Sequence, residues 1–152
     1  MTTIRPAVPS DAPALAELRW EFRAALEPPA EAHDAFVARC ASWMAAELGA
    51  GRPWRALVAE NGGRIVGQVW VHTIDKLPNP VGEPASHAYV SNLYVTPGAR
   101  GGAGTRLLQA VVDRAAAEGV DRVVLWPSAR SRTLYERFGF AANGDVMERR
   151  CR

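Results

Sequence analysis

Lysine, cysteine and long hydrophobic runs are scarce in this sequence, and each shortage excludes a class of protein. Lys76 is the single lysine among 18 basic residues, so arginine carries almost all of the positive charge. The arginines are interspersed with acids and do not form the clustered basic stripe that nucleic-acid binding requires. We therefore expect no nucleic-acid partner.

The positions of the cysteines and of the apolar residues argue against a metal-binding, a disulfide-rich or a membrane protein. Cys40 falls inside a predicted helix and Cys151 near the end of the chain, which is neither a metal-binding spacing nor a disulfide framework. No apolar run approaches the ~18 residues of a membrane span, and no basic segment followed by an apolar one opens the chain. These features predict a soluble cytoplasmic protein with no bound metal and no membrane partner.

The chain has the size and composition of one globular domain. It has 152 residues, of which 48% are hydrophobic and 22% charged, with a formal net charge of +2. That is enough for one sizeable core and too little for two ordinary domains. We expect residues 1–152 to form a single domain.

Hydrophobic periodicity and turn residues predict an α/β fold of the α+β kind. The predicted strands are Thr2 to Ala7, Trp54 to Glu60, Arg64 to Ile74, His87 to Val95, Arg122 to Trp126 and a short final strand near Asp145 to Arg150. The predicted helices are Asp11 to Leu26, Glu31 to Leu48, Gly104 to Glu118 and Ala129 to Phe138. Asn61-Gly62-Gly63 is a strong hairpin signal, and the mixture of hairpins and crossovers predicts a mixed sheet.

The most informative segment is the glycine-rich turn between Pro97 and Gly104. An apolar strand leads into it and an amphipathic helix follows. Such a turn directs several unpaired backbone N–H groups, and the positive end of the helix dipole, towards one point that favours phosphate. Glycines also serve any tight strand-to-helix turn, so the motif alone leaves both interpretations open.

A second motif, residues 128–140, follows one strand later and is typical of a short helix closed by Gly139. In this order the two motifs resemble the GNAT superfamily of acetyl-CoA-dependent N-acetyltransferases, and the resemblance covers nearly the whole chain. Leu134 to Phe140 matches the C-terminal signature of the family, and Ile4 to Ala7 its first strand. The resemblance implies a mixed, mostly antiparallel central sheet flanked by helices, with a splayed strand pair at the cofactor site.

A Rossmann dinucleotide-binding domain is the nearest alternative fold. There the glycine turn follows the first strand of a parallel repeat, and an acid at the end of the next strand binds the ribose. Here the turn follows the fourth predicted strand, after a hairpin, and Asp121 stands at the start of the next strand. The order of elements therefore disfavours this fold.

The resemblance also implies which residues bind acetyl-CoA. Backbone groups of Leu93, Tyr94 and Val95 would pair with the pantetheine arm. The pyrophosphate would lie on the N–H groups of the loop and helix start, which are those of Arg100, Gly101, Gly102, Ala103, Gly104 and Thr105. Ser128 replaces an asparagine of many family members and could equally cap the following helix. If Leu107 and Leu108 fix the alignment, Ala99 falls at the arginine or glutamine place of the family loop, which leaves the role of Arg100 open.

Two residues are candidates for proton transfer. Tyr135 matches the family's general acid, which protonates the departing thiolate, and its alternative role is packing. His87 stands where relatives resembling the ribosomal-protein alanine acetyltransferases carry a glutamate base. A histidine suits a base acting through water at neutral pH, since its unperturbed pKa is ~6.5. A solvated strand-end histidine is the alternative, and the reserve candidates are Ser91, Glu21 and Asp75.

The acceptor amine is bound, in this superfamily, largely by the first two helices and the loop between the third and fourth strands. Trp20 could supply an apolar or cation–π face, Glu21 could hold a cationic amine, and Asn92 matches an asparagine of the relatives. Small-molecule amines, antibiotics, amino acids and protein N-termini or lysines all stay open as acceptors, and so does a homodimer. The alternative to an enzyme is a non-catalytic acyl-CoA-binding or regulatory module on the same fold.

Overall fold

A computed structural model describes residues 1–152, which are built around one five-stranded sheet. The strands are β1 (Thr2–Pro6), β2 (Trp54–Asn61), β3 (Arg64–Asp75), β4 (Ser86–Val95) and β5 (Val123–Val124). They lie in chain order, antiparallel from β1 to β4 and parallel between β4 and β5. The predicted mixed, mostly antiparallel sheet is therefore confirmed.

Helices cover both faces of the sheet. They are α1 (Ala12–Ala24), α2 (His33–Ala50), α3 (Ala103–Glu118) and α4 (Arg132–Arg137). Leu107 and Val111 lie four residues apart on α3, so both face one cluster of strand side chains. Leu15 of α1 and Met44 of α2 pack against the opposite face. None of the helices combines the length and the apolar character needed to cross a membrane.

Gln68 connects α1 to the centre of the sheet. Its side chain is fully buried, and its amide nitrogen donates a hydrogen bond of 2.9 Å to the Leu15 carbonyl. Its amide oxygen accepts a bond of 2.8 Å from the indole N–H of Trp70. Because both ends of this buried amide are satisfied, α1 is held in a fixed position over β3.

The C-terminal part of the chain differs from the sequence-based expectation. β5 is only two residues long, whereas the sequence predicted Arg122 to Trp126, and the predicted final strand near Asp145 to Arg150 is absent. Val146 and Met147 are 62% and 95% exposed, so they bury no apolar face that would fix a strand in register.

The last helix also begins later than predicted, at Arg132 and not at Ala129. Ser128 and Ser131 form a local turn, since the Ser131 N–H donates to the Ser128 hydroxyl oxygen at 3.2 Å. Short polar side chains compete in this way with helical hydrogen bonding. The end of the helix agrees with the prediction, because Gly139 follows it with a φ of 84°.

β4 contains a bulge at Asn92. Trp70 pairs with Ser91 and Gln68 with Tyr94, so two residues of β4 oppose one residue of β3. Asn92 has a φ of 58°, in the left-handed region that asparagine tolerates better than most residues.

Beyond the bulge, β4 and its neighbour separate. β5 pairs with β4 only at Ala88 and Tyr89, so no strand lies beside Leu93 to Val95 on that edge. This opening corresponds to the expected splayed strand pair.

Candidate active site

The start of α3 presents backbone donors that nothing in the chain caps. Gly102 is the N-cap residue and makes no side-chain cap. Gly101 and Gly102 have φ values of 128° and 117°, which side-chain-bearing residues rarely adopt, so the turn depends on glycine at both places. The first N–H groups of a helix lack intrahelical acceptors and lie at the positive end of its dipole. The start of α3 can therefore bind an anion such as phosphate.

Of the two arginines near this turn, Arg100 precedes α3 and Arg106 lies within it. Pro97–Ala99 forms a short 3-10 turn, and the exposed Arg100 follows it in an extended conformation. Ala99 is half-buried and packs against the core, so the charge at this loop comes from Arg100. Arg106, one turn into α3, donates a hydrogen bond to the Thr2 carbonyl and is thereby tied to β1.

The unpaired edge of β4 leads to the same turn. The Thr96 N–H donates to the Val66 carbonyl at 2.9 Å, which directs this residue towards β3. Since peptide groups alternate along a strand, those of Val95 and Leu93 face the open edge. A Cβ added to Gly104 would lie 3.7 Å from Cγ2 of Val95, so the helix start adjoins the strand end. Strand edge and helix start together form a continuous row of backbone donors and acceptors.

The side chain of Tyr94 faces α1, away from this row. Its ring stacks on Phe22 with centroids 4.9 Å apart and planes 14° apart. Burial, followed by a hydrogen bond with the Glu21 carboxylate, raises the pKa of Tyr94. The exposed Glu21 therefore lies beside the loop-proximal end of β4.

Tyr135 is half-buried on α4. Its ring packs edge-on against Phe140 with centroids 5.7 Å apart, and burial raises the pKa of its hydroxyl above the ordinary value of 10.0. The hydroxyl is therefore protonated at neutral pH and can donate a proton. Tyr135 lines a broad groove of about 860 Å³ together with β5 and Trp126, on the side where β5 is short.

Ser128, the other predicted cofactor residue outside the loop, is exposed and bonded locally. Its hydroxyl lies 2.8 Å from the Ser131 hydroxyl and accepts the Ser131 N–H. It stabilises the turn that precedes α4.

His87 lies at the opposite end of β4 from the glycine turn. Its Nδ1 is buried without a hydrogen-bond partner and is 3.7 Å from a carboxylate oxygen of Asp121. Side chains alternate along a strand, so His87 shares a face with Tyr89 and Ser91. Ser91 is about 13 Å further along, at a strand rise of ~3.3 Å per residue, so the imidazole can reach the bulge only through water.

A second cavity, of about 370 Å³, adjoins the bulge between α1, α2 and the sheet. We call it the aromatic cavity, and its lining residues are Arg19, Phe36, Arg39, Cys40, Trp43, Met44, Trp54, Trp70, Ser91 and Asn92. Because of the bulge, the consecutive residues Ser91 and Asn92 both line it.

Only one of the three residues predicted to bind the acceptor lines the aromatic cavity. Asn92 does so, and its side-chain oxygen accepts a hydrogen bond of 3.1 Å from Arg19. Trp20 packs between the first two helices against His33 and Phe36, at centroid distances of 5.2 and 5.8 Å. Glu21 lies beside Tyr94, outside the cavity lining.

Sequence reasoning missed Arg19. It stands four residues after Leu15, on the apolar face of α1, where a charged residue is unusual and therefore informative. A cationic residue on the buried face of an amphipathic helix is the signal that would have identified Arg19.

Comparison with known proteins agrees with this geometry. The model of the acetyltransferase (GNAT) family matches residues 13–140. The chain belongs to the acetyltransferase (GNAT) family. Family membership supports acetyl transfer as the class of reaction. No curated protein sequence matches the chain.

Solved acetyltransferase structures share the fold over almost the whole chain. A predicted acetyltransferase from Clostridium acetobutylicum, determined with acetyl-CoA, superposes with a TM-score of 0.75 at 22% identity, covering 99% of this chain and 96% of that one. A possible acetyltransferase from Clostridium difficile 630 gives a TM-score of 0.79 at 15% identity, with 99% and 97% covered. Ribosomal-protein-alanine N-acetyltransferase from Brucella melitensis biovar Abortus 2308 gives 0.74 at 26% identity, with 99% of both chains covered.

Proposed function

We propose that the protein is an N-acetyltransferase that moves the acetyl group of acetyl-CoA directly to a primary amine in a ternary complex. The observation that carries this proposal is the junction of the uncapped α3 start with the unpaired edge of β4. The start of α3 suits a pyrophosphate, and the open edge of β4 suits an extended chain of amides. The solved relative with acetyl-CoA and the relative named a ribosomal-protein-alanine N-acetyltransferase support the same donor and an amine acceptor.

The loop and the strand have separate roles in binding acetyl-CoA. The N–H groups of the turn and helix start, from Arg100 to Thr105, bind the pyrophosphate, and the Arg100 guanidinium adds a charge-assisted contact. The peptide groups of Leu93 and Val95, on either side of Tyr94, face the open edge and align the pantetheine arm. An N–H group of this edge polarises the thioester carbonyl as its oxygen gains negative charge. Ser128 positions α4 through its turn.

Acetyl transfer requires three proton movements. The acceptor must lose a proton to become a neutral amine, whose nitrogen lone pair then bonds to the thioester carbon. The carbon–sulfur bond breaks, the sulfur keeps its electron pair, and Tyr135 protonates the thiolate; the nitrogen releases a second proton, which reprotonates Tyr135 through solvent. The products are the acetylated amine, free CoA thiol and one net proton. His87 takes up the amine's proton through water.

We further propose that residues 1–152 act as one cytoplasmic domain on a small-molecule or peptide amine and not on nucleic acid. The interspersed arginines support the last point, because they provide no basic stripe. The acceptor would contact Asn92 at the bulge of β4, and Trp20 and Glu21 of α1 stay further candidates for contacts with it.

Thermal shift and thiol release test the proposed function. We expect acetyl-CoA at ~100 times its dissociation constant to add about 2.7 kcal/mol to the free energy of unfolding, because ligand binds only the folded state. NAD is the control and should give no shift. An amine panel should then release free thiol, whereas a non-catalytic acyl-CoA-binding module would show the shift without thiol release.

The role of His87 is tested by the pH dependence of kcat/KM. We expect the wild-type rate to show an acid limb beyond the one that the acceptor amine's ionisation causes, because an imidazole that has taken up a proton can no longer act as a base. In His87→Gln this limb should disappear, leaving only the ionisation of the acceptor amine. The same limb in the glutamine variant would exclude His87 as the base.

A further inference from the structure

The aromatic cavity has an apolar wall made of three indole rings. Trp43 lies 5.8 Å from both Trp54 and Trp70 between ring centroids, and the latter two are 6.2 Å apart. Trp43 remains 46% exposed, so the wall is open to a ligand and not sealed in the core. An open concave aromatic surface favours an apolar or aromatic group on the ligand.

The other end of the aromatic cavity carries a cation without a counter-ion. Arg19 is half-buried, and only Asn92 receives a hydrogen bond from its guanidinium. The ionisable groups that act on its charge are Arg23, Cys40 and Tyr89, none of which is a carboxylate. A guanidinium has five N–H donors in a rigid fork, so most of them stay available for a carboxylate.

The remaining lining residues add no negative charge. No aspartate or glutamate lines the cavity, and Arg39, its second arginine, pairs with Glu31. Withdrawing a cation from water without a partner is unfavourable, so an anion brought by the ligand would complete this site. A purely cationic ligand would instead meet uncompensated positive charge.

The position of Arg19 relates the anion to the reaction. The Asn92 side chain that it contacts belongs to the bulge, and the bulge leads directly into the proposed thioester-binding edge of β4. In an α-amino acid the amine and the carboxylate share one carbon atom. A carboxylate on Arg19 therefore brings the amine of the same molecule to the bulge, while the side chain extends to the tryptophans.

We propose that the acetyl acceptor is a free α-amino acid with an apolar or aromatic side chain, whose carboxylate binds Arg19. This inference rests on the proposed function and names its acceptor. A peptide N-terminus has no carboxylate beside its amine, and a polyamine has none at all. Both are therefore disfavoured and serve as outcomes of the test.

Matched amines test the role of the carboxylate. We would measure acetyl-CoA-dependent thiol release with L-phenylalanine, phenethylamine and L-phenylalaninamide, and with L-leucine and isoamylamine. We expect kcat/KM to be about 10- to 100-fold higher for each free amino acid than for its counterpart without a carboxylate, the range expected for a charged hydrogen-bonded pair. An N-terminal phenylalanine peptide and spermidine complete the panel and should be poor acceptors.

Variants of Arg19 test whether this residue binds the carboxylate of the acceptor. Arg19→Gln should bring the ratio of amino acid to matched amine close to one, mainly through a higher KM for the amino acid, and Arg19→Lys should recover part of it. Arg23→Gln is the matched control, because this arginine lies one turn further along α1, exposed and paired with Glu27 at 3.5 Å. It should keep the wild-type ratio, and all three variants should keep the thermal shift with acetyl-CoA.

The two proposals fail in different ways. The inference is wrong if phenethylamine, the amide, the peptide or spermidine equals or exceeds the free amino acids, if none of the amino acids is acetylated while acetyl-CoA binds, or if Arg19→Gln leaves the ratio unchanged. The proposed function is wrong if acetyl-CoA gives no thermal shift. In that case a thermal shift with L-phenylalanine alone, absent in Arg19→Gln, would still support the amino-acid site, and no shift would exclude it.

Discussion

Gly104→Val is expected to abolish acetyl-CoA binding, and to do so more completely than Arg100→Ala. A Cβ at this position would have only ordinary contact with Val95, at 3.7 Å, so the core accepts a small side chain there. The two methyl groups of valine would instead occupy the space between helix start and strand edge, where the pyrophosphate must approach the backbone. Arg100 contributes one exposed contact, and its loss should weaken binding without preventing it. Isothermal calorimetry with acetyl-CoA measures both variants.

Ala116→Val is the matched control for that substitution. It adds the same two methyl groups to an exposed position near the other end of α3, so it reproduces the cost of a β-branched residue in this helix. It should bind acetyl-CoA like the wild type. A larger loss of affinity in Arg100→Ala than in Gly104→Val would mean that the arginine, and not the backbone of the turn, provides the main phosphate contact.

Tyr135→Phe is expected to lower kcat by about 10²-fold while leaving the fold and the affinity for acetyl-CoA nearly unchanged. Only the hydroxyl is lost, and the half-buried ring keeps its packing against Phe140. A reduction of that size is usual for a missing general acid. Because burial raises the pKa of Tyr135, the wild-type rate should show no loss of this acid until pH exceeds the ordinary tyrosine value of about 10.

Tyr89→Phe is the control for Tyr135→Phe. It also removes one tyrosine hydroxyl, from a ring that packs against Trp54 and Trp126. Single-turnover rates of the two variants separate chemistry from product release. Full activity in Tyr135→Phe would assign that tyrosine to packing alone.

Local signals in the sequence were sufficient for most of the fold. The Asn61-Gly62-Gly63 turn lies between β2 and β3 as predicted, with Asn61 as the last residue of β2, and the apolar positions of α3 face the core. These features depend on neighbouring residues, whose turn preferences and periodicity are visible in the chain itself. The predicted final strand was wrong because its pairing required a partner edge that β5, with two residues, does not provide.

The aromatic cavity could not be predicted in the same way. Trp43 and Trp54 come from a helix and a strand that meet only in the folded protein, and the bulge at Asn92 depends on its pairing with β3. The roles of the loop, of Tyr135 and of His87 came from the family resemblance, and they stay predictions. The structure adds the placement of each residue, including the length of strand that separates His87 from the bulge.

The bulge at Asn92 also restricts how this strand can change during evolution. With one extra residue at this point, Val90 and Leu93 both face α3, although three positions separate them. Deleting a single residue would restore regular alternation with Leu93 and Val95 still facing α3, but Ser91 and Asn92 could no longer both line the aromatic cavity. Substitutions here would alter a contact, whereas a change of length would remove the bulge and with it this part of the cavity wall. This part of the gene can therefore change its codons far more freely than their number.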